Sequence, residues 1–317
     1  MKQTTLTNKK ANKSHGRLLI RTSFAVRTFT CLVLFVLFGT KALAHPGSGI
    51  VVDKEGNVFF TDTGMGVWKI DLQGKLTYIP ASRFHWMAID EVGYFAGSQK
   101  NFGEWFERVT PQNSKPVLMM CSDFPITVNR DGNLYYADTR TNSQRIILRT
   151  AAGVESVFAS GEMFKDISGI TAGPDGSLYV TNASLIDANV IHKITMDGKV
   201  SIFASGFAGK AVSKNPPETE ATYCRGLAVD SLGNVYVAAT GTRSVLKITP
   251  KGKVSTILQT TIPWSPTSVT IFHGEVYVLE WSDAPPSQTE VRKAWVPRVR
   301  KIGLDGKTTT LATVSRS

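Results

Sequence analysis

One short phrase recurs along this chain, and it limits the possible fold more than any other feature. It reads GIVVDKEGNVFF at 49–60, ITVNRDGNLYY at 126–136, GITAGPDGSLYV at 169–180 and GLAVDSLGNVYV at 226–237. Each copy has a short apolar run, a turn that contains Asp or Asn with Gly, and a run rich in β-branched and aromatic residues. Gly supplies the positive-φ position of a hairpin turn, Asp and Asn cap the turn, and the flanking residues favour strands. The phrase therefore predicts a β-hairpin.

A second hairpin follows the first in most copies. Its segments are VWKIDLQGKLTYI (67–79), VIHKITMDGKVSIF (190–203), VLKITPKGKVSTIL (245–258) and VRKIGLDGKTTTL (299–311), with RIILRTAAGVESVF (145–158) as a looser copy. Each unit thus has four strands, and successive inner strands begin near residues 49, 87, 126, 169, 226 and 267. Four short strands in a repeat of about 40–45 residues are typical of a propeller blade. We therefore predict an all-β fold, a six-bladed β-propeller of four-stranded antiparallel blades.

The six predicted blades differ in regularity. They lie near residues 45–80, 81–120, 121–163, 164–222, 223–262 and 263–317. The second unit, WMAIDEVGYFAG (86–97), lacks the Asp-Gly turn, and its second strand is expected to end at Gly97. The pattern begins at an inner strand and ends at an outer one. We therefore expect no blade to combine strands from both ends of the chain, so that blade six packs directly on blade one.

Residues 1–44 have the composition of a cleavable signal peptide. They contain eight basic residues and no acidic ones, and the apolar run CLVLFVLFG (31–39) precedes the small-x-small site Ala42-Leu43-Ala44. The run is too short to span a bilayer comfortably, although an uncleaved anchor is the alternative reading. Cleavage would start the mature chain at His45, export it to the periplasm or the extracellular space, and leave no stable membrane span.

The basic charge of the chain belongs mostly to this leader. The formal net charge is +11, yet 28 basic residues oppose 25 acidic ones after residue 44. A basic face is therefore not indicated, and no nucleic-acid partner is predicted. Cys121 and Cys224 precede inner strands of non-neighbouring repeats. We expect two separate thiols there, although export would permit a disulfide.

The full repeat, G-[IL]-x-V-D-x-x-G-N-[VL]-[YF]-V followed by V-x-K-I-x-x-x-G-K-V, resembles an NHL-type repeat. It is also similar to the repeats of the senescence-marker (SMP-30)/gluconolactonase/LRE-like group of six-bladed propellers. The resemblance extends over residues 45–317 and implies the architecture. Because such propellers include lactonases, lyases, redox enzymes and plain binding modules, it implies no single activity.

The metal site implied by the gluconolactonase resemblance is not carried over. In that family an early Glu in an E-G-P-like phrase joins Asn and Asp residues that directly precede the Gly of later inner strands. Here the first of these segments is HPGSG (45–49), and Ser168 and Arg225 precede the later glycines. Arg cannot ligate a hard cation, and Ser is a poor replacement for a carboxylate.

Oxygen-bearing side chains end most of the predicted second strands. They are Asp62, Asp138, Asn182 and Glu280, whereas the remaining two strands end at Gly97 and Ala239. Since hard cations need converging oxygens, these four residues are a candidate site for Ca²⁺ or Mg²⁺. The alternative is that they cap the next turn by accepting backbone N–H groups.

The segments that lead into the inner strands carry the candidate ligand-binding residues. These are His85, Trp86, Asp123, Asp166, Arg225 and Trp264. His85 can act as an acid or base, and Trp86 can stack on a sugar or a flat ligand unless it fills the core between blades. A buried Arg225 would need an anion, either a nearby carboxylate such as Asp123, Asp166 or Glu280, or a ligand carboxylate.

These observations predict an exported propeller that binds a small-molecule, carbohydrate or protein ligand at its central mouth. The alternative is a metal-dependent hydrolase or lyase that acts on a lactone or a sugar-derived substrate. In that case His85 would be the general base beside a cation that lowers the pKa of bound water. No G-x-S-x-G elbow and no C-x-x-C pair is present, so serine or cysteine hydrolase chemistry has no support.

Overall fold

The computed structural model describes residues 46–95, 105–111, 116–138, 145–164, 167–182, 189–207, 224–282 and 295–315. The chain divides into two compact units, Met1–Leu43 and Ala44–Ser317. The first unit lies outside the described residues, so the leader and its cleavage site stay predictions. No helix in the described part of the second unit is both long enough and apolar enough to cross a membrane.

The second unit is a six-bladed β-propeller, as predicted. Within the described residues, five blades have four antiparallel strands in chain order. Blade 1 contains β1 (Ile50–Val52), β2 (Val58–Asp62), β3 (Gly66–Ile70) and β4 (Leu76–Ile79). Blade 3 contains β8 (Ile126–Val128), β9 (Leu134–Asp138), β10 (Arg145–Arg149) and β11 (Glu155–Ser160). Blade 4 contains β12 (Ile167–Ala172), β13 (Leu178–Asn182), β14 (Val190–Ile194) and β15 (Val200–Ser205).

The last two blades have the same strand order. Blade 5 contains β16 (Cys224–Val229), β17 (Val235–Ala239), β18 (Ser244–Ile248) and β19 (Val254–Gln259). Blade 6 contains β20 (Trp264–Phe272), β21 (Glu275–Ser282), β22 (Pro297–Ile302) and β23 (Thr308–Thr313). The first strands of successive blades contact one another all the way round, including β1 with β20. Of the sheets described, none mixes strands from both chain ends, which confirms the predicted closure.

Blade 2 is the exception, and here the predicted strand was wrong. Its three described strands are β5 (Trp86–Asp90), β6 (Phe106–Val109) and β7 (Val117–Cys121), in the spatial order β5-β7-β6. Asp90 accepts backbone N–H groups from Gly93 (2.9 Å) and Phe95 (2.7 Å). Residues 91–95 therefore form a turn and no strand, and the fully buried strand β7 takes the second position of the sheet. Gly97, the expected strand end, lies outside the described residues.

The recurring Asp-Gly turns are satisfied locally, as the repeat phrase predicts. In blade 5, the Asp230 carboxylate accepts the backbone N–H of Asn234 (2.9 Å) and the Asn234 side-chain amide (2.7 Å). Asp53 holds Asn57 in the same way in blade 1. Gly233 has a φ of 78°, which a residue with a side chain adopts only with strain. The turn residues therefore have a structural role.

The recurring Lys of V-x-K-I has a structural explanation as well. In three blades this Lys lies over an aromatic ring of the neighbouring second strand, in the pairs Lys69–Phe59 (5.6 Å), Lys193–Tyr179 (5.4 Å) and Lys247–Tyr236 (5.3 Å). In blade 6, Lys301 pairs with Glu275 (2.9 Å). A cation that approaches the face of an aromatic ring this closely is attracted to its electrons. The repeated Lys therefore stabilises the blades.

Glycines at the start of the inner strands allow neighbouring blades to approach closely. They are Gly49, Gly169 and Gly226, which begin three copies of the phrase. A Cβ there would lie 2.7 Å from the Cβ of Met87, 2.4 Å from the backbone oxygen of Arg225 and 2.0 Å from Oγ of Ser268, respectively. The first glycine of the phrase is therefore required by packing around the channel. Cys121 and Cys224 are buried and unbridged, which confirms two separate thiols.

Candidate functional site

The strand directions place the predicted ligand-binding residues at one end of the propeller. Because first and second strands are antiparallel, the start of each first strand lies beside the end of its second strand. We call this end the mouth, and the opposite end, with the Asp-Gly turns, the turn end. His85 precedes β5, Arg225 lies in β16 and Trp264 begins β20, so all three lie at the mouth.

The segment 46–49 lies at the mouth and is held there by residues of blades 5 and 6. The Pro46 carbonyl accepts a hydrogen bond from the Arg225 guanidinium (3.0 Å), and the Gly47 carbonyl accepts one from the indole of Trp281 (3.0 Å). Arg225 lies in a β-bulge between β16 and β17, which redirects its side chain. No sequence pattern indicated this contact, because it joins residues from opposite parts of the chain.

His85 is held in one tautomer. Its Nδ1–H donates to the Ser122 carbonyl (2.6 Å), which leaves the lone pair on Nε2. Burial lowers the pKa of His85, and although this hydrogen bond raises it, the pKa stays below its ordinary value. The charge of Arg225 also lowers the pKa, and that of Asp123 raises it. The side chains of His85, Asp123 and Arg225, from blades 2, 3 and 5, therefore interact electrostatically at the mouth.

Two buried hydroxyl groups at the mouth have no hydrogen-bond partner within the described part of the chain. They are Oγ of Ser48 and Oγ of Ser122. Ser48 also lines the central channel, whose volume is about 190 Å³. The first strands supply the rest of the lining, and the described lining residues carry no charge. The channel is therefore neutral and hydroxyl-bearing, whereas the charges gather at its mouth.

The remaining predicted ligand-binding residues differ in exposure. Trp86 packs against the core that blades 2 to 4 share and also lines the channel, so its stacking on a ligand stays a prediction. Asp123 is exposed. Asp166 lies outside the described residues.

The first two candidate metal ligands are engaged by groups near them in the sequence. Asp62 accepts the backbone N–H of Gly64 (2.9 Å) and the indole N–H of Trp68 (3.0 Å), as the turn-capping alternative predicts. Asp138 is paired with the guanidinium of Arg145 (2.9 Å). A guanidinium on a carboxylate competes with any cation for the same oxygens.

The other two candidate metal ligands are bound by groups that lie 18 to 20 residues away in the sequence. The side-chain amide of Asn182 donates to the Met163 carbonyl (2.7 Å). Glu280 is fully buried between Arg298 (2.5 Å) and Arg300 (3.5 Å). Within the described ranges, no cluster of three or more His, Cys, Asp or Glu side chains is placed to hold a metal ion. The Ca²⁺ or Mg²⁺ site stays a prediction without a matching geometry here.

The sequence patterns did not predict a group of arginines near Glu280. Arg298 and Arg300 pair with Glu280, and the guanidinium of Arg298 lies 3.9 Å from the ring centroid of Trp264. Arg243 donates to the Trp264 carbonyl (2.9 Å). The signal was the alternation R-V-R at 298–300, which places two arginines on one face of a strand. Which face that is, and that Glu280 lies opposite Arg298, follows only from the strand register.

Comparisons with known proteins agree with the fold. A family model described as a β-propeller repeat matches residues 218–244. No curated protein matches the sequence. Luciferin-regenerating enzyme is 15% identical, with 86% of this chain and 94% of that chain covered and a TM-score of 0.54. A streptogramin B lyase is 16% identical over 87% of this chain and 85% of that chain, with a TM-score of 0.49.

A third solved structure, a calcium-binding regucalcin from Agrobacterium tumefaciens, is 13% identical over 85% of this chain and 74% of that chain, with a TM-score of 0.43. At 15% identity, the likeness to luciferin-regenerating enzyme shows the fold alone. The likeness to luciferin-regenerating enzyme confirms the resemblance to LRE-like propellers at that level.

Proposed function

We propose that this protein is an exported propeller that binds a ligand at its mouth, where the channel opens. The observation that carries the proposal is the hydroxyl of Ser48, which is buried, lines the channel and has no partner within the described residues. A buried polar group without a partner costs about 1–3 kcal/mol. A ligand in the channel would supply the missing hydrogen bond and so recover this free energy.

The chemistry of the mouth limits what the ligand can be. The channel wall is neutral and carries hydroxyl groups, which suits the uncharged polar part of a small molecule or a carbohydrate. His85, Asp123 and Arg225 approach from three blades and offer one acid or base and two opposite charges. Such a set would orient a ligand at several points, which favours specific recognition over loose adsorption.

A ligand screen by thermal shift tests the proposal on the chain that starts at His45. Compounds that bind the folded state raise Tm by mass action. For any compound that does so, Ser48→Ala and Arg225→Gln should reduce the shift, and Ser255→Ala on the outer strand β19 should not. If every positive compound acts equally on all three variants, the mouth is not the binding site.

Export is a separate part of the proposal, and it rests on the leader sequence. Expression of the full-length chain in a Gram-negative host, followed by N-terminal sequencing of the periplasmic fraction, tests it. We expect the mature protein to begin at His45. Recovery of the chain only from membranes, with its leader intact, would favour the uncleaved anchor.

A second candidate function rests on His85. A neutral imidazole with its Nδ1–H bound to the Ser122 carbonyl can accept a proton at Nε2, as a general base in a hydrolase or lyase would. The lowered pKa keeps His85 neutral at pH 7. Lactones and sugar-derived substrates are the class to assay. His85→Asn retains a donor for Ser122 and should lower a turnover rate by about 10²–10⁴-fold.

The metal-dependent form of this second function has less support. Arginine side chains hold the carboxylates of Asp138 and Glu280, so the four predicted ligands do not fit a hard cation as they stand. We therefore derive no step through a metal. A thermal shift series with Ca²⁺, Mg²⁺, Mn²⁺ and Zn²⁺ provides the test, and a rise in Tm that Asp62→Asn abolishes would restore the cation site.

A further inference from the structure

Three consecutive residues at the mouth, 46–48, each bind a different blade, and we call them the strap. The Pro46 carbonyl accepts a hydrogen bond from Arg225 of blade 5 (3.0 Å), and the backbone N–H of Ser48 donates to the His85 carbonyl at the start of blade 2 (2.7 Å). Between them, the middle carbonyl of the strap accepts hydrogen bonds from two side chains of blade 6. Two of the partners of the strap are therefore candidate ligand-binding residues.

The Gly47 carbonyl is the central anchor of the strap. It accepts hydrogen bonds from Oγ1 of Thr267 (2.7 Å) and from the indole N–H of Trp281 (3.0 Å), which occupy both of its lone pairs. Thr267 and Trp281 are 0% and 1% exposed, and neither belongs to the described lining of the channel. These two donors are therefore shielded from a ligand in the channel, and they can affect its binding only through the strap.

The strap fits against blade 1 with no room to shift. A Cβ on Gly47 would lie 2.5 Å from Oγ1 of Thr61, and a Cβ on Gly49 would lie 2.7 Å from the Cβ of Met87. The backbone N–H of Gly49 also donates to Oγ1 of Thr61 (3.1 Å). The main chain is thus fixed on both sides of Ser48, so the position of the Ser48 side chain follows from that of the strap.

The strap positions one candidate ligand-binding group itself and two through its partners. Oγ of Ser48 is buried beside the channel and has no partner within the described parts of the chain. His85 is fixed twice, because the strap binds its carbonyl and its ring donates to the Ser122 carbonyl (2.6 Å). The guanidinium of Arg225 is fixed by the first carbonyl of the strap. A displacement of the strap would therefore move all three groups.

We propose that Thr267 and Trp281 are positioning residues of the ligand site at the mouth, which they arrange through the strap. This inference rests on the proposed function. Binding groups have to be held within about 0.5 Å of their productive positions, and a loose support loses this precision. Two donors on one carbonyl give the strap a single position, so the groups on it are oriented before a ligand arrives and binding costs less entropy.

Variants of Thr267 test this role against a matched control. Thr267→Val removes the hydroxyl and nearly keeps the shape of the side chain, whereas Thr267→Ser keeps the hydroxyl. Trp281→Phe removes the indole N–H and is a second, independent loss of a donor to Gly47. Thr242→Val is the control, because its hydroxyl pairs with Oγ of Ser244 (2.8 Å) at the mouth end of blade 5 and makes no hydrogen bond to the strap among the described residues.

The ring of His85 reports the position of the strap without a ligand. Burial lowers its pKa, and the charge of Arg225 lowers it as well, while the hydrogen bond to the Ser122 carbonyl and the charge of Asp123 raise it. A strap that loosens would admit water to the ring and so raise the pKa toward its ordinary value of about 6.5. NMR spectra over a pH series measure this pKa, and His85→Asn identifies the signal.

The pKa of His85 should respond to the two donors and not to the control. In Thr267→Val we expect it to rise by about 0.5, and Trp281→Phe should change it in the same direction. Thr267→Ser should restore the wild-type value, and Thr242→Val should leave it unchanged although it too removes a hydroxyl. If neither Thr267→Val nor Trp281→Phe moves the pKa, the two donors do not position the site and the proposal is overturned.

Affinity separates a positioning role from stability alone. The probes are glucose, galactose and any compound that raises Tm in the thermal-shift screen, titrated by calorimetry into the chain from His45. Thr267→Val should weaken binding about five- to tenfold, whereas Thr267→Ser and Thr242→Val should bind as the wild type does. If Thr267→Val and Trp281→Phe bind a probe as tightly as the wild type, the mouth binds a ligand but these residues do not position it. If no probe binds the wild type, the proposed function fails, and this inference fails with it.

Discussion

Strand β21 carries a glutamate at each end, and the two are held in different ways. Glu275, at the turn end, is partly exposed and pairs with Lys301 (2.9 Å). Glu280, at the mouth, is fully buried between two arginines. Glu275 resembles Asp175 in blade 4, which pairs with the third-strand Lys193. At the turn end, blades 4 and 6 thus share a pair of a third-strand Lys with a carboxylate. At the mouth, blade 3 has one arginine on its carboxylate, Asp138, whereas blade 6 has two on Glu280.

The same contrast holds for hydrogen bonds. At the turn end, Asp53 and Asp230 bind residues four positions further along the chain. At the mouth, the Pro46 carbonyl accepts its hydrogen bond from Arg225, 179 positions away. The bonds within the turns recur with the phrase, whereas the contact of Arg225 with Pro46 involves residues outside it. A substitution of Arg225 would therefore remove this contact without changing the turns of the repeat.

The largest expected effect is a difference in stability between variants of the two glutamates. Glu280→Gln removes one partner of a buried ion pair, which costs about 3–5 kcal/mol of unfolding free energy. Glu275→Gln removes a partly solvated pair and should cost at most about 1 kcal/mol. Denaturant unfolding of both variants gives the two values. Equal losses of unfolding free energy would mean that the buried ion pair of Glu280 contributes no more to stability than the partly exposed pair of Glu275.

Two glycine substitutions compare the packing at the mouth with the packing at the turn end. Gly169→Ala places a Cβ 2.4 Å from the backbone oxygen of Arg225, and such overpacking costs about 1–3 kcal/mol. Gly252→Ala, at the turn end, meets no atom within 4 Å and bears only the strain of its φ of 78°, about 1 kcal/mol. Thermal unfolding measures both. A smaller loss for Gly169→Ala than for Gly252→Ala would contradict close packing of blades at the mouth.

The turn of blade 5 predicts a smaller, pH-dependent loss. Burial raises the pKa of Asp230, but hydrogen bonds from Asn234 and Leu232 outweigh it and hold the pKa below its ordinary value. Asp230→Ala should cost about 1 kcal/mol at pH 7. Because the folded pKa is depressed, the contribution of the charge is lost as the pH falls through that pKa.

Asp230→Asn is the matched variant for this turn. It keeps an acceptor for the backbone N–H groups, so it should lose less stability than Asp230→Ala at pH 7. Unfolding curves at several pH values below 5 compare the three proteins, and the gap between wild type and Asp230→Ala should narrow. A constant gap would show that the charge of Asp230 contributes nothing.

The smallest effect concerns His85 at the mouth. Burial lowers its pKa, so between that pKa and the ordinary value the unfolded chain binds more protons. Unfolding free energy should therefore fall as the pH drops below about 6.5, by at most about 1.4 kcal/mol per pH unit. His85→Asn should flatten this slope while leaving stability at pH 8 nearly unchanged. An unaltered slope would mean that His85 does not titrate with folding.

The regular blades were predictable because the residues that form each turn and its two strands all lie within one copy of the phrase. The turn of Asp230, Gly233 and Asn234 closes through bonds within five residues, and the strands beside it are buried, mostly apolar runs. Blade 2 was less predictable, because its second position is filled by β7 from further along the chain. Without a turn signal, the sequence carried no local indication of that exchange.

The candidate site could be predicted only in part. His85, Arg225 and Trp264 were recognised because they precede or begin inner strands, and those strand ends meet at one mouth. Arg243, Arg298 and Arg300 were not recognised, since their convergence depends on strand register and on the angle between blades. The four candidate metal ligands do end second strands, yet their partners lie in neighbouring turns and strands.

The sequence by itself determined the six-bladed propeller, its turns and its strand periodicity, because these depend on bonds and backbone preferences over a few residues. Only the tertiary structure decided which side chains meet at the mouth. It joined Pro46 to Arg225, left the Ser48 hydroxyl beside the channel, and set Glu280 between two arginines. Such contacts depend on strand register and on which blades come together, and no short stretch of sequence specifies either.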